Sequence, residues 1–248
     1  MREADAVPAT IGVLDGEVRV GLDEQELGRF GAEARKLGPR DVAAAVANRA
    51  VGATTVGGTL AVARAVGIRF MGTGGIGGVH RGWTERPDIS SDLAELARTQ
   101  VVVVASGAKS ILDVPATAEA LETLGIPTLG YRTDTLPLFY AAEGGPPVSA
   151  RVESAAEAAE IARGHWELGG AGVLVGNPPA QSLDDVDLLI GQALEEAARE
   201  GVVGQGVTPF VLSWLHRESG GRTLAANRAL VADNARLAAE IAGATMQA

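Results

Sequence analysis

Short β-branched runs alternating with longer helical patterns predict an α/β protein, three layers in α/β/α order around a mostly parallel central sheet. Three observations carry that expectation. Val101-Val102-Val103-Val104 is an unbroken β-branched run, the pattern of a strand covered on both faces. Shorter apolar runs of the same kind recur at 68–71, 126–131 and 173–175. Stretches with apolar residues at helical spacing separate them, as parallel strands need a crossover to connect them.

Taken in order, residues 7–14 (Val7-Pro8-Ala9-Thr10-Ile11-Gly12-Val13-Leu14) read as a strand and 17–21 as its hairpin partner. Asp15-Gly16 between them supplies the positive φ angles that a two-residue hairpin turn requires. Helices are expected from Asp23 onward and over 39–50, the second opened by Pro39, whose fixed φ suits a first helical turn. Residues 56–66 keep helical spacing despite Gly57-Gly58, and 68–71 form a short buried strand before the central run at 101–104. Strands at 126–131 and 173–175 and helices over 154–168, 183–200, 209–218 and 224–242 complete the pattern. Gly144-Gly145-Pro146-Pro147 reads as a surface loop, and with no repeat or low-complexity linker the whole of 1–248 is expected to be a single domain.

Composition narrows the function. The chain has 248 residues, 46% hydrophobic and 21% charged, enough to bury a sizeable core. No apolar run reaches the roughly 18 residues of a membrane span, and the first residues lack the apolar core of a signal peptide, so a soluble cytoplasmic protein is expected. The absence of cysteine excludes disulfides, thiolate chemistry and zinc fingers. A net charge of −10 with scattered arginines argues against a nucleic-acid polymer as ligand, while a local basic site for one phosphate stays open.

Of 21 basic residues only two are lysine, Lys36 and Lys109; the rest are arginine. A lysine retained in so arginine-rich a chain is a candidate for a place where arginine cannot serve, because a neutral amine forms a Schiff base and a guanidinium does not; chance survival is the competing reading. Lys109 lies in Ser106-Gly107-Ala108-Lys109-Ser110-Ile111-Leu112-Asp113, directly after the 101–104 strand, and parallel sheets bind ligands beyond the carboxyl ends of their strands. Lys36 precedes the proline-started helix, where a plain surface lysine is the competing reading. The loop Thr73-Gly74-Gly75-Ile76-Gly77-Gly78-Val79-His80-Arg81-Gly82 follows another strand; its amides can cradle a phosphate, with His80 and Arg81 adding charge-assisted bonds, or it can be a structural turn. No helix begins immediately after it, which argues against a dinucleotide site. Asp88-Ile89-Ser90-Ser91-Asp92 suits a hard divalent cation and a polyol or phosphate, and equally a helix cap at Ser90 or Ser91. His165 and His216 fall in helical surroundings at expected solvated positions without a role.

These segments, in this order, resemble the pseudouridine-5'-phosphate glycosidase family, also called indigoidine synthase A-like. The likeness runs through Ala6 to Ile11, Gly52-Ala53-Thr54-Thr55-Val56, the Thr73 loop, Asp88 to Leu93, Gly107 to Asp113, Asn177-Pro178, Thr208-Pro209-Phe210, and Asn227 with Asn234-Ala235. The resemblance implies reversible splitting of the C–C glycosidic bond of pseudouridine 5'-phosphate into uracil and ribose 5-phosphate, with Lys109 as the imine-forming nucleophile. It implies Asp88 as the ligand of one Mn²⁺ per subunit, and Lys36, Val56, Ser90, Ser91, Asp92 and Asn227 as substrate contacts. It further implies a homotrimer handling small molecules, with no membrane and no nucleic-acid polymer as partner. The family's proton-donor glutamate lies in a Glu-Ser-Thr segment upstream of the first strand, so none of the residues here takes that role. A phosphosugar-binding homologue without catalysis is the alternative expectation.

Overall fold

The computed structural model describes residues 1–31, 34–183, 185–203 and 206–246. The expected hairpin is present: β1 (Ile11–Leu14) pairs antiparallel with β2 (Glu17–Val20), and Asp15 and Gly16 both take positive φ, 53° and 84°. The first strand is shorter than residues 7–14, and Val7 stands exposed. α1 (Glu24–Leu27) starts at Asp23 through a reciprocal capping box with Glu26. Two strands that the sequence did not announce follow, β3 (Arg35–Leu37) and β4 (Gly52–Thr54), with α2 (Val42–Ala47) between them. They close a four-stranded mixed sheet in the order β2-β1-β4-β3. The second, smaller sheet is an addition to the expected central one. α3 (Val56–Val66) covers the predicted residues, capped by the Thr55 hydroxyl and stopped at Gly67 with φ 76°.

The main sheet contains β5 (Phe70–Gly72), β6 (Val102–Ala105), β7 (Thr128–Tyr131), β8 (Ala150–Val152) and β9 (Val173–Gly176). Its order is β5-β6-β9-β7-β8 and every neighbouring pair is parallel. The helices around it are α4 (Ser91–Leu96), α5 (Val114–Thr123), α6 (Ala155–Glu167), α7 (Val186–Arg199), α8 (Val207–Glu218) and α9 (Arg222–Met246). The helix expected over 183–200 includes Asp184, which lies outside the described residues. α5 and β8 are additions to the predicted elements, although Asp113 as cap and Pro115 in the first turn are start signals for α5.

Strand parity divides the core. Val101, Val103 and Ala105 pack with Leu60 of α3, Leu93 and Leu96 of α4, Leu121 of α5 and Ile190 of α7. Val102 and Val104 point the other way, into Ala158, Ala162 and Trp166 of α6 and Leu237 and Ile241 of α9. A strand feeding two apolar layers has no polar face, which is why this run is unbroken valine. At the carboxyl end of the sheet, fully buried Asn234 of α9 donates to the Thr73 carbonyl (2.7 Å) and the Ser106 hydroxyl (3.1 Å) and accepts from Asn177 (2.9 Å). It thereby ties together the chain leaving β5, β6 and β9. Gly72 permits this close docking, since a Cβ there would stand 2.5 Å from the Ala235 Cα. Among the described residues, no helix is long and apolar enough to cross a membrane.

Candidate active site

Two cavities meet at Lys109. The larger, about 680 Å³, is lined by Lys36, His80, Asp88, Ser90, Ser91 and Asp92, together with Arg40, Arg86 and Arg98. The smaller, about 290 Å³, is lined by Val56, Gly74, Gly75, Phe139, Tyr140, Leu215 and Asn227. Thr55 and Lys109 border both. The residues that the resemblance implied for the site, from Lys36 and Val56 to Asp88, Ser90, Ser91, Asp92, Lys109 and Asn227, thus border one cavity or the other. The larger is rich in charge and the smaller mostly apolar.

Lys109 reaches this junction from the loop after β6, and the loop is held firmly. The Lys109 amide donates to Ile76 (3.1 Å), the Leu112 amide returns to the Lys109 carbonyl (3.0 Å), and Arg81 donates to the Ser110 and Leu112 carbonyls at 3.1 and 3.3 Å. Gly107, with φ 86°, lies so close to Pro137 that a Cβ would overlap its carbonyl oxygen. Burial lowers the pKa of the Lys109 amine; Lys36 lowers it further and Asp92 opposes both. Removal from water comes first.

Lys36 points into the larger cavity because of strand alternation. Its neighbour Leu37 is fully buried, so the next side chain along β3 faces the opposite way. His80 is held below the usual imidazole pKa by burial, with Asp88 pulling it up and Lys36 and Lys109 pushing it down. Ser90 caps α4 by accepting from the Asp92 amide (3.2 Å), so its cap reading holds while its side of the turn faces the cavity. Ser91 is exposed at the cavity wall.

Asp92 is nearly fully buried, and its carboxylate accepts from the Gly57 amide (2.7 Å) and the Gly77 amide (2.8 Å). It therefore clamps the first turn of α3 to the glycine loop, besides bordering the larger cavity. Gly57 and Gly77 leave room for it: a Cβ on either would stand 3.1 Å or less from its oxygens.

The glycine loop is chiefly a structural device. Its Ile76, Gly77 and Val79 amides donate to Gly107, Asp92 and Thr117, so they are not presented to a ligand. Gly75 admits the Phe139 ring, and Gly74 and Gly75 border the smaller cavity. Of the two charged residues that end the loop, His80 borders the larger cavity whereas Arg81 straps the Lys109 segment from a separate recess. The Nε2 atoms of His165 and His216 are buried without a partner among the described residues, correcting the expectation that both are solvated. The His165 ring packs against Gly170, where a side chain would displace it. The sequence did not mark Arg86, Arg40, Phe139 or Tyr140, which come from loops with no motif.

The family described as indigoidine synthase A like protein matches residues 1–244. A pseudouridine-5'-phosphate glycosidase of Streptomyces griseus is 49% identical over 256 aligned residues, covering 100% of this chain and 79% of the relative. One of Myxococcus xanthus is 47% identical, covering 100% and 84%. Among solved structures, the prealnumycin C-glycosynthase AlnA in complex with ribulose 5-phosphate superposes with a TM-score of 0.90 at 42% identity, covering 99% of this chain and 83% of that one. An indigoidine synthase A-like protein of Thermotoga maritima gives a TM-score of 0.87 at 39% identity, covering 99% and 85%.

Proposed function

This chain belongs to the indigoidine synthase A-like family, and from that premise we propose that it reversibly cleaves the C–C glycosidic bond of pseudouridine 5'-phosphate, giving uracil and ribose 5-phosphate, through an imine on Lys109. The single observation that carries this reading is the place of Lys109: its amine, made less basic by burial, stands between a cavity lined by charges of both signs and a mostly apolar one. In this reading the sugar phosphate occupies the first and the flat pyrimidine the second, with the bond between them at the amine. Val56 and Asn227 flank the base, and Lys36, Ser90 and Ser91 face the sugar phosphate.

A C–C glycosidic bond has no leaving oxygen to protonate, so the two-carboxylate arrangement of ordinary glycosidases does not suffice. Attack of the neutral Lys109 amine on C1' opens the ribose ring, and the ring oxygen takes up a proton. A proton placed on C5 of the base makes that carbon tetrahedral; the nitrogen lone pair then forms the C1'=N bond as the C1'–C5 pair returns to the ring as its C5=C6 bond. Water hydrolyses the imine, releasing ribose 5-phosphate and restoring the amine. Asp92 holds the α3 turn and the glycine loop in place around this centre.

Of the carboxylates bordering the larger cavity, Asp41, Asp92 and Glu95 are engaged by Gly38, by Gly57 with Gly77, and by Arg98, so in this reading Asp88 is the one that would hold a metal. A carboxylate oxygen suits a hard divalent ion, Mn²⁺ in this reading. When bound it would neutralise charge on the sugar phosphate. The same reading takes the protein as a cytoplasmic homotrimer.

Mixing the protein with pseudouridine 5'-phosphate and Mn²⁺ is expected to release uracil, followed chromatographically, and uracil with ribose 5-phosphate to regenerate the nucleotide. No interconversion in either direction would reject the activity. Asp88→Asn is expected to weaken Mn²⁺ binding, read by calorimetry, by at least the roughly 10- to 100-fold that loss of an outer partner of a metal ligand costs. Activity should fall with it. Equal affinity in variant and parent would leave Asp88 without a metal role.

A further inference from the structure

Charge is unevenly used around the larger cavity. Arg98 is engaged with buried Glu95, and Arg40 lies 3.8 Å from Asp41. Lys36 and Arg86 also border it, and neither has a carboxylate within 4.0 Å among the described residues. Asp41, Asp88, Asp92 and Glu95 border the same cavity, but three of them are engaged, Asp41 by the Gly38 amide, Asp92 by the Gly57 and Gly77 amides and Glu95 by Arg98, so Lys36 and Arg86 remain as cations suited to an anion. The backbone that carries Arg86 is held at several points. Its amide donates to Gly82 (3.1 Å), and the loop that carries it is closed at its base by the His80 amide donating to Asp88 (3.0 Å) and by an antiparallel bridge between Val79 and Ile89. Lys36 approaches from the other sheet, on β3.

We propose that Arg86, acting with Lys36, clasps the terminal phosphate of the sugar in the larger cavity and sets the protein's demand for a phosphorylated sugar. The inference rests on the reading of the site given above. A guanidinium offers a planar fork that meets two phosphate oxygens at once, whereas the ammonium of Lys36 acts as a point charge. Together they match the two negative charges of a phosphomonoester. The assignment makes Arg86 a specificity residue, distinct from the amine that reacts.

Two measurements on the whole protein test it. Inorganic phosphate is the first probe: Arg86→Gln is expected to weaken its binding by about 10- to 100-fold, with Arg86→Lys in between, because the ammonium keeps the charge and loses the fork. The second is borohydride trapping of the sugar on Lys109. The ribose 5-phosphate concentration for half-maximal trapping should rise by about the same factor in Arg86→Gln, while that for unphosphorylated ribose stays put. Unchanged phosphate affinity in Arg86→Gln, or an equal shift for both sugars, overturns the inference. If the parent binds phosphate through Arg86 yet traps neither sugar, the phosphate site stands and the imine reading falls.

Discussion

Lys109→Arg is expected to abolish the borohydride-trapped adduct with ribose 5-phosphate and to lower turnover on the order of 10⁴- to 10⁶-fold, the scale of losing a covalent nucleophile. Arginine keeps the positive charge and much of the length, so the loss would be chemical rather than electrostatic. Peptide mass analysis of the trapped parent should place the sugar on the peptide containing Lys109. An adduct elsewhere, or undiminished trapping in the variant, removes Lys109 from the mechanism. The pH dependence has a definite sign. Burial lowers the Lys109 pKa, so at neutral pH a larger share of the amine is neutral than for a free lysine, and the acid limb of the trapping rate should lie below the ordinary lysine range.

Gly107→Ala should be the most damaging change that leaves every polar group of the site in place. The residue combines φ 86° with a backbone approach to Pro137 that admits no Cβ, and its own carbonyl accepts from Ile76 at 3.1 Å. Relief requires moving backbone, on one side the segment with Phe139 and on the other the segment with Lys109. A loss above roughly 4 kcal/mol in chemical denaturation is expected, the range reserved for strain at a special backbone conformation. Gly125→Ala is the control: its φ is 66° but nothing lies within 4 Å of the place a Cβ would take, so only the left-handed cost of about 1–2 kcal/mol applies. If the two variants share a denaturation midpoint, the close approach at Gly107 is not what demands glycine there.

The amino-acid sequence by itself determined the features whose physics is local. Asp15-Gly16 selects its turn, and the valine run of β6 announces a strand buried on both faces. Lys109 is marked by lysine scarcity and by its position after that strand, without any knowledge of its neighbours. What lies between distant segments was decided only in the tertiary structure. β3, β4 and β8 are three residues long, too short for a period of two to register, and exist because partners elsewhere in the chain supply their hydrogen bonds. The double role of Asp92 is of the same kind. As a sequence feature it is one acid in a cluster, and only folding brings Gly57, 35 residues away, and Gly77, 15 away, onto its two oxygens. Arg86 carries no signal because an arginine in a loop becomes meaningful through the carboxylates it lacks and the cavity it borders. Even the lowered basicity of Lys109 is a product of assembly, since desolvation belongs to the packed fold and to no stretch of chain.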